Sequence, residues 1–97
     1  MSQAKLLIVV LRRIINKQAD LVASDCKEYI KNHAEENKDD VIHFFVNEFL
    51  INSHNCRVGV EATLRIFECE NSDYIRKELQ DHIKQTANTL KSSLNKG

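Results

Sequence analysis

Cys56-Arg57-Val58-Gly59-Val60-Glu61-Ala62-Thr63-Leu64-Arg65-Ile66 is the stretch whose conformation decides the fold. Taken two residues at a time it alternates. Cys56, Val58, Val60, Ala62, Leu64 and Ile66 share one side, which is the signature of a half-buried strand. Taken at ~100° per residue, Glu61, Arg65 and Glu68 fall on one narrow polar stripe, and the rest of the wheel is apolar or small. Glu61 then stands four residues before Arg65, the order of charges that supports a helix. The stretch is also long for a strand. A helix packed on two sides accounts for it best.

The rest of the chain agrees. It has 97 residues, no Pro and only two Gly, Gly59 and Gly97. A sandwich or barrel needs many turns, and turns draw on those two residues. The length suits one domain, residues 1–97, with a small core. Formal net charge is zero, so there is no basic footprint for nucleic acid and no such partner is expected. Leu6 to Leu11 is an unbroken apolar run ended by Arg12 and Arg13. It is too short to cross a bilayer, so no membrane partner is expected. Lys5, Arg12, Arg13 and Lys17 all precede the first acid, Asp20. That bias also suits a mitochondrial presequence, but a buried first helix explains the run more simply. Cys26, Cys56 and Cys69 cannot all pair within the chain. Each lies on an apolar face, as buried free thiols do, which points to the cytosol or nucleus.

Five helices are expected. The first spans about Gln3 to Asn16, with Leu7, Val10, Leu11 and Ile14 on its apolar face. Leu6, Ile8, Val9 and Ile15 widen that face, so the helix is central or covered by something else. The second spans about Ala19 to Ala34, with a stripe of Leu21, Val22, Cys26, Tyr29, Ile30 and His33. Glu35 to Lys38 reads as a turn. The third starts at a capping Asp39 or Asp40 and carries Val41, Ile42, Phe45, Val46, Phe49 and Leu50 inward. Phe44 and Ile51 fall on its flank, either covered by a neighbour or exposed as a sticky patch. Asn52-Ser53-His54-Asn55 reads as a second turn, before the helix around Gly59. The fifth starts at Ser72 or Asp73 and lines Ile75, Leu79, Ile83, Thr86, Leu90 and Leu94 on one face, with Asp73 and Lys77 as a supporting pair. Past residue 88 the sequence turns polar and is expected to fray.

A shape recurs about 36 residues apart. Ile14-Ile15-Asn16 precedes Val22-Ala23-Ser24-Asp25-Cys26 and Ile30, and Leu50-Ile51-Asn52 precedes Val58-Gly59-Val60-Glu61-Ala62 and Ile66. Repeats of this length mark stacked helical units. Arg57 to Ile66 resembles the second helix of a HEAT-type repeat, of the HEAT/armadillo class. That family places Arg-Val or Val-Arg near the helix start, then Ala, Leu and an aliphatic residue at helical spacing. The likeness covers roughly the first 70 residues. The chain departs from the family by lacking the Pro common in the first helix and by having two units. The resemblance implies antiparallel hairpins stacked in a short right-handed array, acting as a scaffold or adaptor. A compact helical bundle is the other form the same helices can take.

Catalytic and metal motifs are weak. His54, Cys56 and Cys69 supply three potential zinc ligands, but a structural site wants four in tight paired spacings. His54 and Cys56 stand two apart, which does not put a thiol and its base on one helical face. The acids from Glu35 to Asp40 lack the alternation and the Gly of a calcium loop, and no phosphate-binding loop occurs. The expectation is an all-α, non-catalytic protein–protein interaction module without cofactor or metal. Its partner is another protein or a second copy of itself. A small helical enzyme or metal-dependent regulator is the alternative of another class. Contact is expected through Phe44 and Ile51, or through the polar stripe Glu61, Arg65 and Glu68. In the stacked array Asp25 and Tyr29 join Glu61 and Arg65, because they hold matching positions in the repeat.

Overall fold

The computed structural model describes the backbone of residues 3–67 and 72–96, and the side chains of residues 5–55, 62 and 73–96. It contains three helices: α1 Gln3–Asn32, α2 Lys38–Phe67 and α3 Ser72–Lys96. No strand occurs among the described residues. The stretch around Gly59 is helical through Phe67. The all-α expectation therefore holds, and five helices become three.

Both missing breaks have the same physical cause. The buried residues of α1 are Ile8, Leu11 and Ile15, then Ala19, Val22 and Cys26, the same spacing eleven residues later. In α3, Ile75, Leu79 and Ile83 give way to half-buried Thr86 and then buried Leu90 and Leu94, again eleven residues on. In α2, Ile42 and Ser53 are buried and eleven apart. An eleven-residue period is about 3.67 residues per turn, close to the natural twist, so one stripe faces the same neighbours along a whole straight helix. The polar run Asn16-Lys17-Gln18 falls mainly outside this stripe and does not interrupt α1. The run Asn52 to Asn55 even puts Ser53 into the core. With no Pro, and no Gly at either point, nothing stops the helix.

Each helix packs against both others. The contacts fix the directions. Arg12 meets Glu78 and Asn16 meets His82, so α1 and α3 run parallel. Tyr29, near the end of α1, meets Phe45, near the start of α2, so α2 runs back between them. The result is an up-down-up bundle of 51 × 20 × 16 Å. Its long dimension matches a 30-residue helix, about 45 Å at 1.5 Å per residue. Each expected two-helix unit is thus one helix, and the compact bundle is the form adopted.

The inward face of α1 is also rotated from the expected one. Ile8 and Ile15 are buried, whereas Val10, Ile14 and Leu21 are exposed, as is Leu50 on α2. The α3 stripe is as expected, and the helix continues through Lys96 with Leu90 and Leu94 buried. Asp73 pairs with Arg76 at 3.0 Å in place of Lys77. The cap of α2 is Asn37 rather than Asp39 or Asp40. Its side-chain oxygen accepts from the Asp40 amide at 3.2 Å and its carbonyl from the Val41 amide at 3.1 Å. Asp39 and Asp40 sit in the first turn, where the helix dipole favours acids.

Candidate functional site: the α1–α2 corner and flank

The turn between α1 and α2 gathers aromatic and acidic side chains. Tyr29 lies on α1 just before it, and Val41, Phe44 and Phe45 lie on α2 just after it. The Tyr29 and Phe45 rings are 5.9 Å apart and inclined by 55°. Phe45 and Phe44 meet edge to face at 5.8 Å and 81°. His33 stacks on Tyr29 at 4.0 Å. Its Nδ1–H donates to the Tyr29 carbonyl at 3.0 Å, satisfying a carbonyl left open at the end of α1. The Tyr29 hydroxyl donates to Glu36 Oε2 at 2.7 Å. That bond holds the phenolic proton and raises the Tyr29 pKa above its ordinary 10.0, with burial and the charges of Glu36 and Glu35 adding to it. Tyr29, Glu36, Asp40, Val41, Phe44 and Phe45 enclose a cleft of about 410 Å³.

An apolar flank leads away from this cleft. Phe44 is 68% exposed and Ile51 63% exposed. Seven residues is close to two helical turns, so they lie in line on one side of α2. On α1, Leu6, Val10, Ile14 and Leu21 are exposed and fall within one arc at ~100° per residue. That arc is roughly opposite the residues that meet α3, among them Asn16, Ala19 and Ala23. Leu21 is 61% exposed. It sits eight residues before Tyr29, while Ile51 sits six beyond Phe45 on the antiparallel helix. At 1.5 Å per residue the two stand at nearly the same height. One face of the bundle, made by α1 and α2 and remote from α3, therefore carries several large exposed apolar side chains, with exposed Lys17 and Asp25 set among them.

Four of the seven expected contact residues come together here. Phe44 and Tyr29 line the cleft. Ile51 continues the line of Phe44, and Asp25 is exposed one turn before Tyr29 on α1. Glu61 and Arg65 do not join them. Their backbone lies along α2 about 24 and 30 Å from Phe45 at the helical rise, and their side chains lie outside the described residues, as does Glu68 altogether. The cleft itself was not expected. The available signal was an acidic turn with aromatics at similar distances on both sides.

The opposite seam is of a different kind. Arg12 Nη2 donates to Glu78 Oε2 at 2.7 Å. One turn further on, His82 Nε2 and Asn16 Oδ1 are 2.8 Å apart, the ring nitrogen donating. Thr86 Oγ1 donates to the His82 carbonyl at 2.7 Å. Partial burial, and then the charge of Arg12, lowers the His82 pKa below its ordinary 6.5. The shallow groove beside these residues, about 530 Å³, is lined in part by Asn16, His82 and Thr86, which are already bonded to one another.

Cys26 is fully buried, and burial raises its pKa above 9.0. Cys56 and Cys69 lie outside the described side chains. No group of three metal-ligating side chains occurs among the described residues. None of the described helices is long and apolar enough to cross a membrane. No family model, no curated protein and no solved structure matches the chain.

Proposed function

We propose that this protein is a non-catalytic protein–protein interaction module, an adaptor or scaffold of the cytosol or nucleus, whose docking surface is the α1–α2 face. The observation that carries the reading is the line of Leu21, Ile51 and Phe44, each more than half exposed on a bundle that already has a closed core. Side chains of this size on one face gain from being covered, at roughly 25 cal/mol per Å² of apolar surface.

The test places a photoreactive side chain at position 51, in cells making the protein, and a second at position 92 on the outer side of α3. Position 51 is expected to give discrete covalent adducts that vanish when Leu21→Asp and Phe44→Asp are combined. Equal adducts from both positions, or adducts indifferent to the Asp substitutions, overturn the reading.

A second reading, a homodimeric regulatory subunit, is favoured by one observation. Lys17 and Asp25 are exposed and each lies four residues from Leu21. Two α1 helices crossing antiparallel at Leu21 would put each Lys17 opposite its partner's Asp25, as a two-fold interface requires. Light scattering over a concentration series decides it. A monomer at high micromolar concentration rules the dimer out.

A further inference from the structure

We propose that the cleft at the α1–α2 corner holds an arginine side chain of the bound protein, its guanidinium laid against the aromatic rings and its N–H groups turned to Glu36 and Asp40. The inference rests on the α1–α2 face being a docking surface, and it names the chemistry that surface reads.

Three features converge. The first is shape. Tyr29, Phe45 and Phe44 are inclined to one another by 55° and 81°, so their rings form the walls of a cleft rather than a flat stack. Its volume of about 410 Å³ falls within the range of side-chain and ligand pockets. The second is charge. Glu36 gives one oxygen to the Tyr29 hydroxyl, and its other oxygen has no hydrogen bond or ion pair among the described residues. The Asp40 carboxylate has no hydrogen bond or ion pair among the described residues, although its amide is engaged by Asn37. Neither carboxylate is ion-paired with a lysine among the described residues, and Lys31 and Lys38 line a separate depression with Ile30 and Leu94. The third is continuity. Phe44 belongs both to the cleft and to the exposed line that runs to Ile51. A chain docked on that line would present its side chain to the cleft at high effective concentration.

Aromatic walls beside unneutralised carboxylates select a cation with flat faces. Guanidinium fits better than ammonium. It is planar, less strongly hydrated, stacks on rings and offers several N–H donors in a fork suited to carboxylates. A purely apolar plug would leave both carboxylates unused.

The test follows the ring resonances of Tyr29, Phe44 and Phe45 by NMR in the full chain. N-acetylarginine methylamide is titrated beside its citrulline counterpart, which has the same shape without the charge, and beside its lysine counterpart. Arginine is expected to move the three rings saturably in the millimolar range, and the other two are not. Phe44→Ala is expected to weaken the response by about threefold or more, and Glu36→Gln with Asp40→Asn to remove saturation. Both sites are exposed, and a circular dichroism spectrum confirms that the fold is kept. Equal responses to citrulline or to lysine overturn the assignment, as does a titration that moves none of the rings. If the rings stay still while the adducts at position 51 persist, the arginine assignment falls and the docking surface stands. Loss of those adducts removes both.

Discussion

The two seams of α1 treat their edges in opposite ways. Where α1 meets α3, polar side chains close the edge. Arg12 bonds Glu78, Asn16 bonds His82, and Thr86 returns its hydroxyl to the backbone. Where α1 meets α2, the edge is apolar and open, with Leu21, Ile51 and Phe44 reaching into solvent. A helical bundle needs only one stripe per helix buried. Polar closure is what an edge facing water is expected to have. The contrast is one of bonding rather than of exposure alone, because Val9 and Tyr74 are also exposed while, among the described residues, only the α1–α3 edge is tied by polar side chains from both helices.

Substitutions can break or sharpen this contrast. The largest effect belongs to neither edge but to the core they share. Phe49, with no exposed surface, is expected to cost about 3–5 kcal/mol as Phe49→Ala in urea denaturation. Phe44→Ala, on the same helix, is expected to cost no more than about 1 kcal/mol. Comparable losses at the two positions would erase the distinction between core and flank. Next comes Ser53, 2% exposed with no partner for its hydroxyl among the described residues. Ser53→Ala removes an unsatisfied polar group and is expected to be neutral or to stabilise by about 1 kcal/mol, read as a rise in Tm. A clear fall in Tm would mean that the hydroxyl is satisfied. On the polar seam, the Arg12–Glu78 pair is partly exposed and screened. Glu78→Gln is expected to cost under about 1 kcal/mol, less still at high salt.

The smallest effect is the pH dependence of His82. Its folded pKa lies below the ordinary 6.5, so the unfolded chain binds the proton more readily. The contribution is present above pH 6.5 and is lost as pH falls through the lower, folded value. His82→Gln is expected to flatten that part of the stability curve. A curve unchanged by the substitution would show that the α1–α3 seam does not feel the proton.

Much of this was legible in residue order. The stripe of α3 from Ile75 to Leu94 needed only its spacing. Phe44 and Ile51 were readable as flank residues, because they fell off a clear stripe. The helix around Gly59 was readable from the single polar line it leaves. The number of helices was not. Short polar runs resemble turns when judged locally, and whether a helix stops depends on whether its next apolar residues still meet a neighbour. Ile15, Ala19 and Val22 do, so Asn16 to Gln18 are carried along. The face of α1 was misjudged for a related reason. Leu6 to Leu11 is apolar all round, and only the positions of two partner helices choose Ile8 and Leu11 over Val10. The cleft joins residues on either side of a turn, and local periodicity has no access to such a meeting. Only the flanking of acids by Tyr29 on one side and Phe44 and Phe45 on the other hinted at it.

The eleven-residue spacing makes each helix a ruler with a strict phase. Deleting one residue near Gln18 would rotate everything beyond it by about 100°, swinging Val22 and Cys26 outward and leaving the sulfur of Cys26 open to oxidants. Lengthening such a rod in register would take blocks of eleven, added to all three helices at once.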